Sequence, residues 1–242
     1  TRLQAFALDA HFIIEQTSRN VGNHFINFNG TAGIWRKSCI EDAGGWSADT
    51  LTEDLDLSYR AQLKDWQIVY VKNIVSPAEL PIEMNSLKAQ QYRWSKGAAE
   101  CAVKNLGNVL KTKINLGTKI HAFFHLSNSF LFICIFFIGL LSLPVIYVVN
   151  NYPEWNKFYS LFVIYYSALG IISFFYLIAY YNAARNKLFA VISFILLFPL
   201  FLSITMGLSL HNAIGVFEAY IKKKSSFIRT PKFNILSKSD NF

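Results

Sequence analysis

The sequence predicts a mixed α/β domain followed by an α-helical transmembrane region, and two observations lead to this prediction. Most of the 15 acidic residues lie within residues 1–119, where apolar residues recur at spacings typical of helices and of short strands. After Lys119 come three tracts without Asp, Glu, Lys or Arg, namely 120–153, 158–184 and 188–217. Each tract is longer than the roughly 20 apolar residues that a membrane-spanning helix needs.

We therefore divide the 242 residues into a soluble part with an interface helix (1–118), transmembrane or interfacial helices (119–221) and a basic cytosolic tail (222–242). The sequence begins at Thr1 and not at Met, and we expect it to be part of a longer protein. A single globular soluble protein is disfavoured, because it would have to bury three fully apolar helices in a small core.

The distribution of basic residues predicts the orientation in the membrane. Arg185 and Lys187 follow the second apolar tract, and Lys222, Lys223 and Lys224 follow the third. Basic loops favour the cytoplasm, so we expect both groups on that side. Three complete crossings cannot achieve this, and the tract 188–217 is therefore expected to form a hairpin or a tilted helix along the interface.

The soluble part is expected to alternate helices with short extended segments. Its predicted elements are a helix over 3–17, a strand over Phe25–Phe28, a helix over 51–64 with Thr52 as N-cap, a strand over 67–71, and a helix over 84–110.

The last predicted helix carries Gln90, Arg93 and Trp94 at spacings that place them on one face. A guanidinium group binds a diphosphate in bidentate fashion, an amide can bind sugar hydroxyls, and an indole ring covers the apolar face of a pyranose. These side chains suit a nucleotide sugar. The alternative is an arginine on a solvated face beside a core tryptophan.

The segment Thr52-Glu53-Asp54 places carboxylates in the first turn of a helix, where free amide groups and the helix dipole favour the ionised form. An ionised Asp54 could accept the proton of an attacking hydroxyl group as a general base. The alternative is that these acids only cap the helix.

Three motifs occur in order ahead of the apolar tracts, namely residues 28–33 (Phe-Asn-Gly-Thr-Ala-Gly), Thr52-Glu53-Asp54 and Gln90-x-x-Arg93-Trp94. In this combination the chain resembles family 2 glycosyltransferases of the cellulose synthase and glucomannan synthase type. The resemblance implies the second half of a GT-A type domain, without the family's Asp-x-Asp metal motif. On the same basis this part alone is expected to be inactive.

By this resemblance, Asp54 is the catalytic base and Glu53 is its neighbour in the motif. Gln90, Arg93 and Trp94 would bind the leaving diphosphate and the terminal sugar of the acceptor. The turn of Asn29, Gly30 and Thr31 would lie beneath the acceptor, with an ordinary structural turn as the alternative.

The tail resembles the gating loop of cellulose synthases, which reads Phe-x-Val-Thr-x-Lys and closes over the nucleotide. The matching residues are Phe227, Thr230 and Lys232, with Arg229 in place of Val, and Pro231 at the variable position before Lys232 stiffens the segment. A basic segment attracted to anionic lipid is the alternative. We expect no metal site in this chain, because the histidines lack ligand spacing.

The resemblance implies inverting and processive transfer of a hexose from UDP-glucose or GDP-mannose, with Mg or Mn bound through a motif that this chain lacks. The expected partners are the nucleotide sugar, a polysaccharide or lipid acceptor and membrane lipids, but no nucleic acid. We expect an integral protein of a bacterial inner membrane or a Golgi-like membrane, with its catalytic part in the cytosol. A lipid glucosyltransferase and a non-catalytic membrane subunit remain as alternatives.

Overall fold

The computed structural model describes residues 1–154, 162–227 and 231. The helices are α1 (Arg2–Asp9), α2 (Thr17–Val21), α3 (Lys37–Asp42), α4 (Glu53–Gln62), α5 (Met84–Lys111), α6 (Leu116–Ser127), α7 (Leu131–Asn151), α8 (Phe162–Ala183), α9 (Lys187–Gly207) and α10 (Ser209–Tyr220). A π-helical segment (Ala10–Gln16) joins α1 and α2, and a short 3-10 turn (Asn128–Phe130) joins α6 and α7.

The two segments predicted as strands are not strands in the described part of the chain, which is helical apart from loops and turns. Side chains of α4 take the place of a neighbouring strand. The Ile26 amide donates to Gln62 Oε1 at 2.9 Å, and Gln62 Nε2 donates to the Ile26 carbonyl at 2.7 Å. The Phe28 amide likewise donates to Ser58 Oγ at 2.8 Å. The β part of the expected α/β class is thus not observed in these residues.

The soluble part is built around α4 and α5, close to the predicted boundaries of both helices. Buried Tyr59 and Cys101 pack together with Ala122 and Leu126 of α6. The Tyr59 hydroxyl group also lies 2.7 Å from His125 Nδ1. These contacts join the soluble part directly to the helix that leads into the first apolar tract.

The N-terminal helix α1 packs its Phe6 side chain against the apolar helices. Phe6 is 1% exposed and contacts Tyr176 and Tyr180 of α8 together with Phe194 and Phe201 of α9. Helix α1 is therefore fixed to α8 and α9 by an aromatic cluster.

The tract 188–217 divides near Leu208 into α9 and α10. Helix α10 packs along α5 so closely that a Cβ atom on Gly215 would lie 3.0 Å from two carbons of the Tyr92 ring. At this same interface Lys96 Nζ lies 3.1 Å from the Glu218 carboxylate.

Two stretches of the described chain are long and apolar enough to cross a membrane, Leu116–Asn151 and Lys187–Gly207. Much of their large apolar surface is exposed in the structure. Their length and composition are those of membrane-spanning helices.

Candidate functional site

Asp54 lies in the first turn of α4 and faces the turn that contains Gly30. Its Oδ2 accepts a hydrogen bond of 2.6 Å from the Gly30 amide, and its Oδ1 accepts one of 2.8 Å from the Leu55 amide. Gly30 has φ of +62°, a conformation that a glycine adopts readily. The structure thus joins two motifs that are 24 residues apart in the sequence.

The electrostatic surroundings of Asp54 differ from those expected for a simple helix cap. Burial raises the pKa of this carboxyl group, the two backbone amides oppose that change, and the charge of Glu53 adds to it. The net pKa shift is upward, whereas the position in the first turn led us to expect an unusually stable ionised form. Desolvation outweighs the helix dipole here. A raised pKa makes Asp54 a stronger base than an exposed aspartate.

Arg93 lies on α5 within electrostatic range of this carboxyl group. Burial lowers the pKa of Arg93, and the charges of Glu53 and Asp54 oppose that change. The guanidinium carbon also lies 4.6 Å from the centre of the Phe227 ring. One cationic side chain therefore interacts with both the acidic motif and the beginning of the tail.

The other residues of the α5 motif have different surroundings. Gln90 accepts a hydrogen bond from Gln4 of α1, while Trp94 is 37% exposed. Gln90 therefore contacts the N-terminal helix, and the indole ring remains accessible to solvent. Glu53 and Thr31 are both exposed. Glu53 directly precedes Asp54 in the sequence, and Thr31 directly follows Gly30 in the turn.

Close packing of α5 against Thr52 fixes the position of the acidic motif. A Cβ atom on Gly97 would lie 2.6 Å from Thr52 Cγ2 and 2.9 Å from the Thr52 backbone nitrogen. Thr52 occupies the N-cap position of α4 as predicted, but its side chain makes no capping hydrogen bond. Its hydroxyl group instead lies 3.4 Å from Cys101 Sγ. Gly97 was not among the predicted site residues.

A polar network beneath the Gly30 turn was also not predicted. His11 Nε2 lies 3.3 Å from Asn29 Oδ1, and His11 Nδ1 lies 3.0 Å from Glu15 Oε2. The sequence signal was available, because His11, Glu15 and Arg19 recur every four residues along one helical stretch.

The described residues do not provide a site for a divalent metal ion. They contain no group of three or more His, Cys, Asp or Glu side chains that could hold one. Asp56 has the sequence spacing of an Asp-x-Asp motif but is fully buried. Its carboxylate accepts hydrogen bonds from Arg60, Lys104 and Asn105 at 2.8, 2.9 and 2.9 Å. Asp56 is therefore a structural residue.

The segment that precedes the predicted gating loop is anchored to α5. The fully buried Lys96 donates to the Lys223 carbonyl at 2.7 Å and to Glu218 at 3.1 Å. Tyr92 donates a further hydrogen bond to Glu218. Of the gating-loop residues, Phe227 is described, whereas Arg229, Thr230 and Lys232 lie outside the described residues.

Comparisons with known proteins agree with the family resemblance of the sequence. The family model described as glycosyl transferase family group 2 matches residues 2–208. The chain is 38% identical over 169 residues to probable glucomannan 4-beta-mannosyltransferase 4 of Oryza sativa subsp. japonica, covering 66% of this chain and 30% of the relative. It is 34% identical over 193 residues to probable glucomannan 4-beta-mannosyltransferase 11 of Arabidopsis thaliana, covering 77% and 44%.

No solved structure matches the chain. The chain spans 30% to 44% of the length of these two relatives. The family match covers far more than half of the present sequence. The chain therefore belongs to glycosyl transferase family group 2.

Proposed function

We propose that this chain forms the acceptor side and the base of a membrane-bound, inverting glycosyltransferase that extends a β-linked polysaccharide. The observation that carries the proposal is the arrangement around Asp54. This carboxyl group is held by the Gly30 amide at 2.6 Å, burial raises its pKa, and the charge of Arg93 acts on it from α5. The position of a carboxyl group beside this turn, within electrostatic range of a cation, supports the proposal.

In the proposed reaction the hydroxyl oxygen of the acceptor sugar attacks the anomeric carbon of the donor. A new carbon–oxygen bond forms as the bond to the diphosphate oxygen breaks, and the diphosphate leaves with the electron pair. Asp54 takes the proton of the attacking hydroxyl group. Because the attack and the departure occur on opposite faces in a single displacement, the configuration of the anomeric carbon inverts.

Arg93 is suited to the negative charge that develops on the leaving diphosphate, since a guanidinium group binds phosphate oxygens in a planar, bidentate way. We assign Gln90 and Trp94 to the same motif, with the 37% exposed indole ring as a surface for the acceptor's terminal sugar. Asn29, Gly30 and Thr31 would form the floor beneath this sugar. Glu53 would adjust the proton affinity of Asp54 through its charge.

The donor sugar is proposed from the names of the relatives. Both relatives are named as glucomannan 4-beta-mannosyltransferases. We therefore propose mannose as the transferred hexose and GDP-mannose as the donor, with UDP-glucose as the second candidate. A divalent ion, Mg or Mn, would accompany the diphosphate but would be held outside the described residues.

Phe227, with the tail residues Arg229, Thr230 and Lys232, is proposed to close over the bound nucleotide and support processive synthesis. The contact of Phe227 with Arg93 supports this proposal, because it brings the tail to the motif that would bind the diphosphate. We propose that the soluble part and the basic segments near Arg185 and Lys222 lie in the cytosol.

The test is product analysis with a purified full-length enzyme that contains this chain, in lipid nanodiscs. With GDP-mannose or UDP-glucose we expect a long β-linked polymer that an endo-acting β-mannanase or β-glucanase degrades. Transfer of single sugars to lipid would show a lipid glycosyltransferase instead. Absence of transfer from both donors, in a protein that binds them normally, would contradict an enzymatic role.

A further inference from the structure

A closed ring of five polar side chains lies beneath the Gly30 turn. Arg19 donates to Asn27 Oδ1 at 3.3 Å and to Glu15 Oε2 at 3.2 Å. Asn27 Nδ2 donates to Asn29 Oδ1 at 2.7 Å. His11 closes the ring between Asn29 and Glu15, at 3.3 and 3.0 Å. We call these five residues the polar ring.

The direction of every hydrogen bond in the polar ring follows from Arg19, because a guanidinium group only donates. Asn27 must turn its oxygen towards Arg19, and its amino group then faces Asn29. Asn29 must therefore turn its oxygen towards both Asn27 and His11. Any flip of either amide group would place two donors against each other.

His11 is thus left with an acceptor at each ring nitrogen. On one side lies Asn29 Oδ1, and on the other lies the Glu15 carboxylate. Although burial opposes ionisation of Glu15, hydrogen bonds and charges from His11 and Arg19 hold its pKa below the ordinary value. Because a neutral imidazole has one N–H group and the closed ring requires two, the ring is complete only with an imidazolium at position 11.

The polar ring is connected to the base through one peptide unit. Asn29 precedes Gly30, whose amide donates to Asp54 at 2.6 Å. We propose that His11 is a positioning residue that, as an imidazolium, holds the Asn29 side chain and thereby fixes the Gly30 amide against Asp54. This inference rests on the proposed function, in which Asp54 is the base.

The helix geometry supports a specific role for this stretch. His11 and Glu15 lie in the π-helical segment Ala10–Gln16, and π-helical turns are often found at functional sites. Glu15 and Arg19 also line an open cavity of about 310 Å³, together with His125 of α6 and Phe175 of α8. The polar ring therefore borders this cavity at Glu15 and Arg19.

Other titratable groups also act on the polar ring. His125, bonded to Tyr59, lies within electrostatic range of His11 and Arg19, and Tyr176 of α8 lies within range of Glu15. Since His125 lies 2.7 Å from the Tyr59 hydroxyl group, it has its own partner. Glu15 is the anion that faces His11 directly.

The first test uses nitrogen NMR of the full-length enzyme with isotope-labelled histidine, near neutral pH. His11→Gln identifies the signal of His11. We expect both ring nitrogens of His11 to be protonated in the parent protein and only one in Glu15→Gln. Glu41→Gln, which alters an exposed ion pair with Lys37 on α3, should leave the imidazolium unchanged. A neutral His11 in the parent would overturn the proposal.

The second test measures amide hydrogen exchange of the segment that contains Gly30. His11→Gln and Glu15→Gln should raise its exchange rate about tenfold or more, as expected for loss of a hydrogen bond to a charged group. Exchange within α4 serves as the check on folding. An unchanged exchange rate at Gly30 would also overturn the proposal.

A second pair of variants covers the case in which Glu15→Gln does not fold. Arg19→Lys keeps an obligate donor and should retain the imidazolium, whereas Arg19→Gln can accept a hydrogen bond and should lose it. Loss of the imidazolium in both variants, or in neither, would contradict the directional argument.

Steady-state kinetics then connects the polar ring to transfer. His11→Gln should lower kcat about tenfold and leave the KM for the nucleotide sugar unchanged, because the ring acts on the acceptor side. NMR and exchange need no catalysis. If only the proposed function is wrong, the NMR signal of His11 and the exchange rate at Gly30 should still behave as expected. If the ring proposal is wrong, one of these two measurements should differ from the expected result.

Discussion

The guanidinium carbon of Arg93 lies 4.6 Å from the centre of the Phe227 ring, so the α5 motif and the predicted gating loop are in contact although they are far apart in the sequence. A cation over an aromatic face contributes about 0.5–2 kcal/mol. In the proposed enzyme this contact orients Arg93 before the diphosphate binds.

Phe227→Ala should raise the KM for the nucleotide sugar about threefold to tenfold, because the orienting contact is lost. Phe227→Trp keeps an aromatic face and should stay near the parent value. Since Phe227 is 59% exposed, neither change should affect folding. Equal KM values for the alanine and tryptophan variants would contradict a role for the ring.

Gly97 is expected to be essential for the position of the acidic motif. In Gly97→Ala the new methyl group would lie 2.6 Å from Thr52 Cγ2 and must displace the start of α4. We expect a loss of about 1–3 kcal/mol in the free energy of unfolding and a marked loss of transfer.

Gly107 provides the matched control, since it lies on the same helix and a Cβ atom there would meet nothing within 4 Å. Gly107→Ala should stabilise the protein by up to about 1 kcal/mol through helix propensity. Denaturation curves in detergent measure both changes. If Gly97→Ala and Gly107→Ala changed the free energy of unfolding by similar amounts, the close contact between Gly97 and Thr52 would be unimportant.

The pH dependence of transfer should respond to Glu53. Burial is the main cause of the raised pKa of Asp54, and the negative charge of Glu53 adds to it. Glu53→Gln removes this charge, so the pKa of Asp54 falls and the base stays ionised to lower pH. The acidic limb of the kcat profile should move to lower pH.

Added salt should weaken the effect of the Glu53 charge on the pKa of Asp54 in the parent enzyme, because Glu53 is exposed to solvent. A shift of the acidic limb to higher pH in Glu53→Gln would contradict the assignment of that limb to Asp54.

Glu218 should stabilise the contact between α10 and α5. Hydrogen bonds from Lys223 and Tyr92 and the nearby Lys96 lower the pKa of Glu218 to about 2. Glu218→Gln leaves the fully buried Lys96 without its counter-ion, and we expect a loss of about 3 kcal/mol in the free energy of unfolding near neutral pH.

The sign of the pH dependence follows from the direction of this shift. A lowered pKa stabilises the fold above the ordinary value of 4.5, and the contribution is lost as the pH falls towards about 2. The difference between parent and Glu218→Gln should therefore shrink with acidification. A constant difference over that range would contradict the role of the charge.

The sequence predicted α4 and α5 closely, because both carry a clear helical period and each has a definite start. The pattern of β-branched residues over 67–71 indicated a strand, yet strand formation depends on a neighbouring strand, which the described residues do not supply.

The environment of Asp54 could not be predicted from the sequence, because burial depends on packing between distant segments. Helix position alone suggested a stable anion, while desolvation raises the pKa. The roles of Gly97 and His11 were missed for the same reason. Each depends on one contact, to Thr52 or to Asn29, across a large sequence separation.

The most direct test of the base assignment is the transfer rate of Asp54→Asn in the full-length enzyme, compared with Asp65→Asn. Asp65 is an exposed aspartate with φ of +65°, a conformation that asparagine also adopts. Asp54→Asn should lower kcat by about 10² to 10⁴ without weakening nucleotide binding, while Asp65→Asn stays at the parent rate. Transfer by Asp54→Asn at the parent rate would contradict the account.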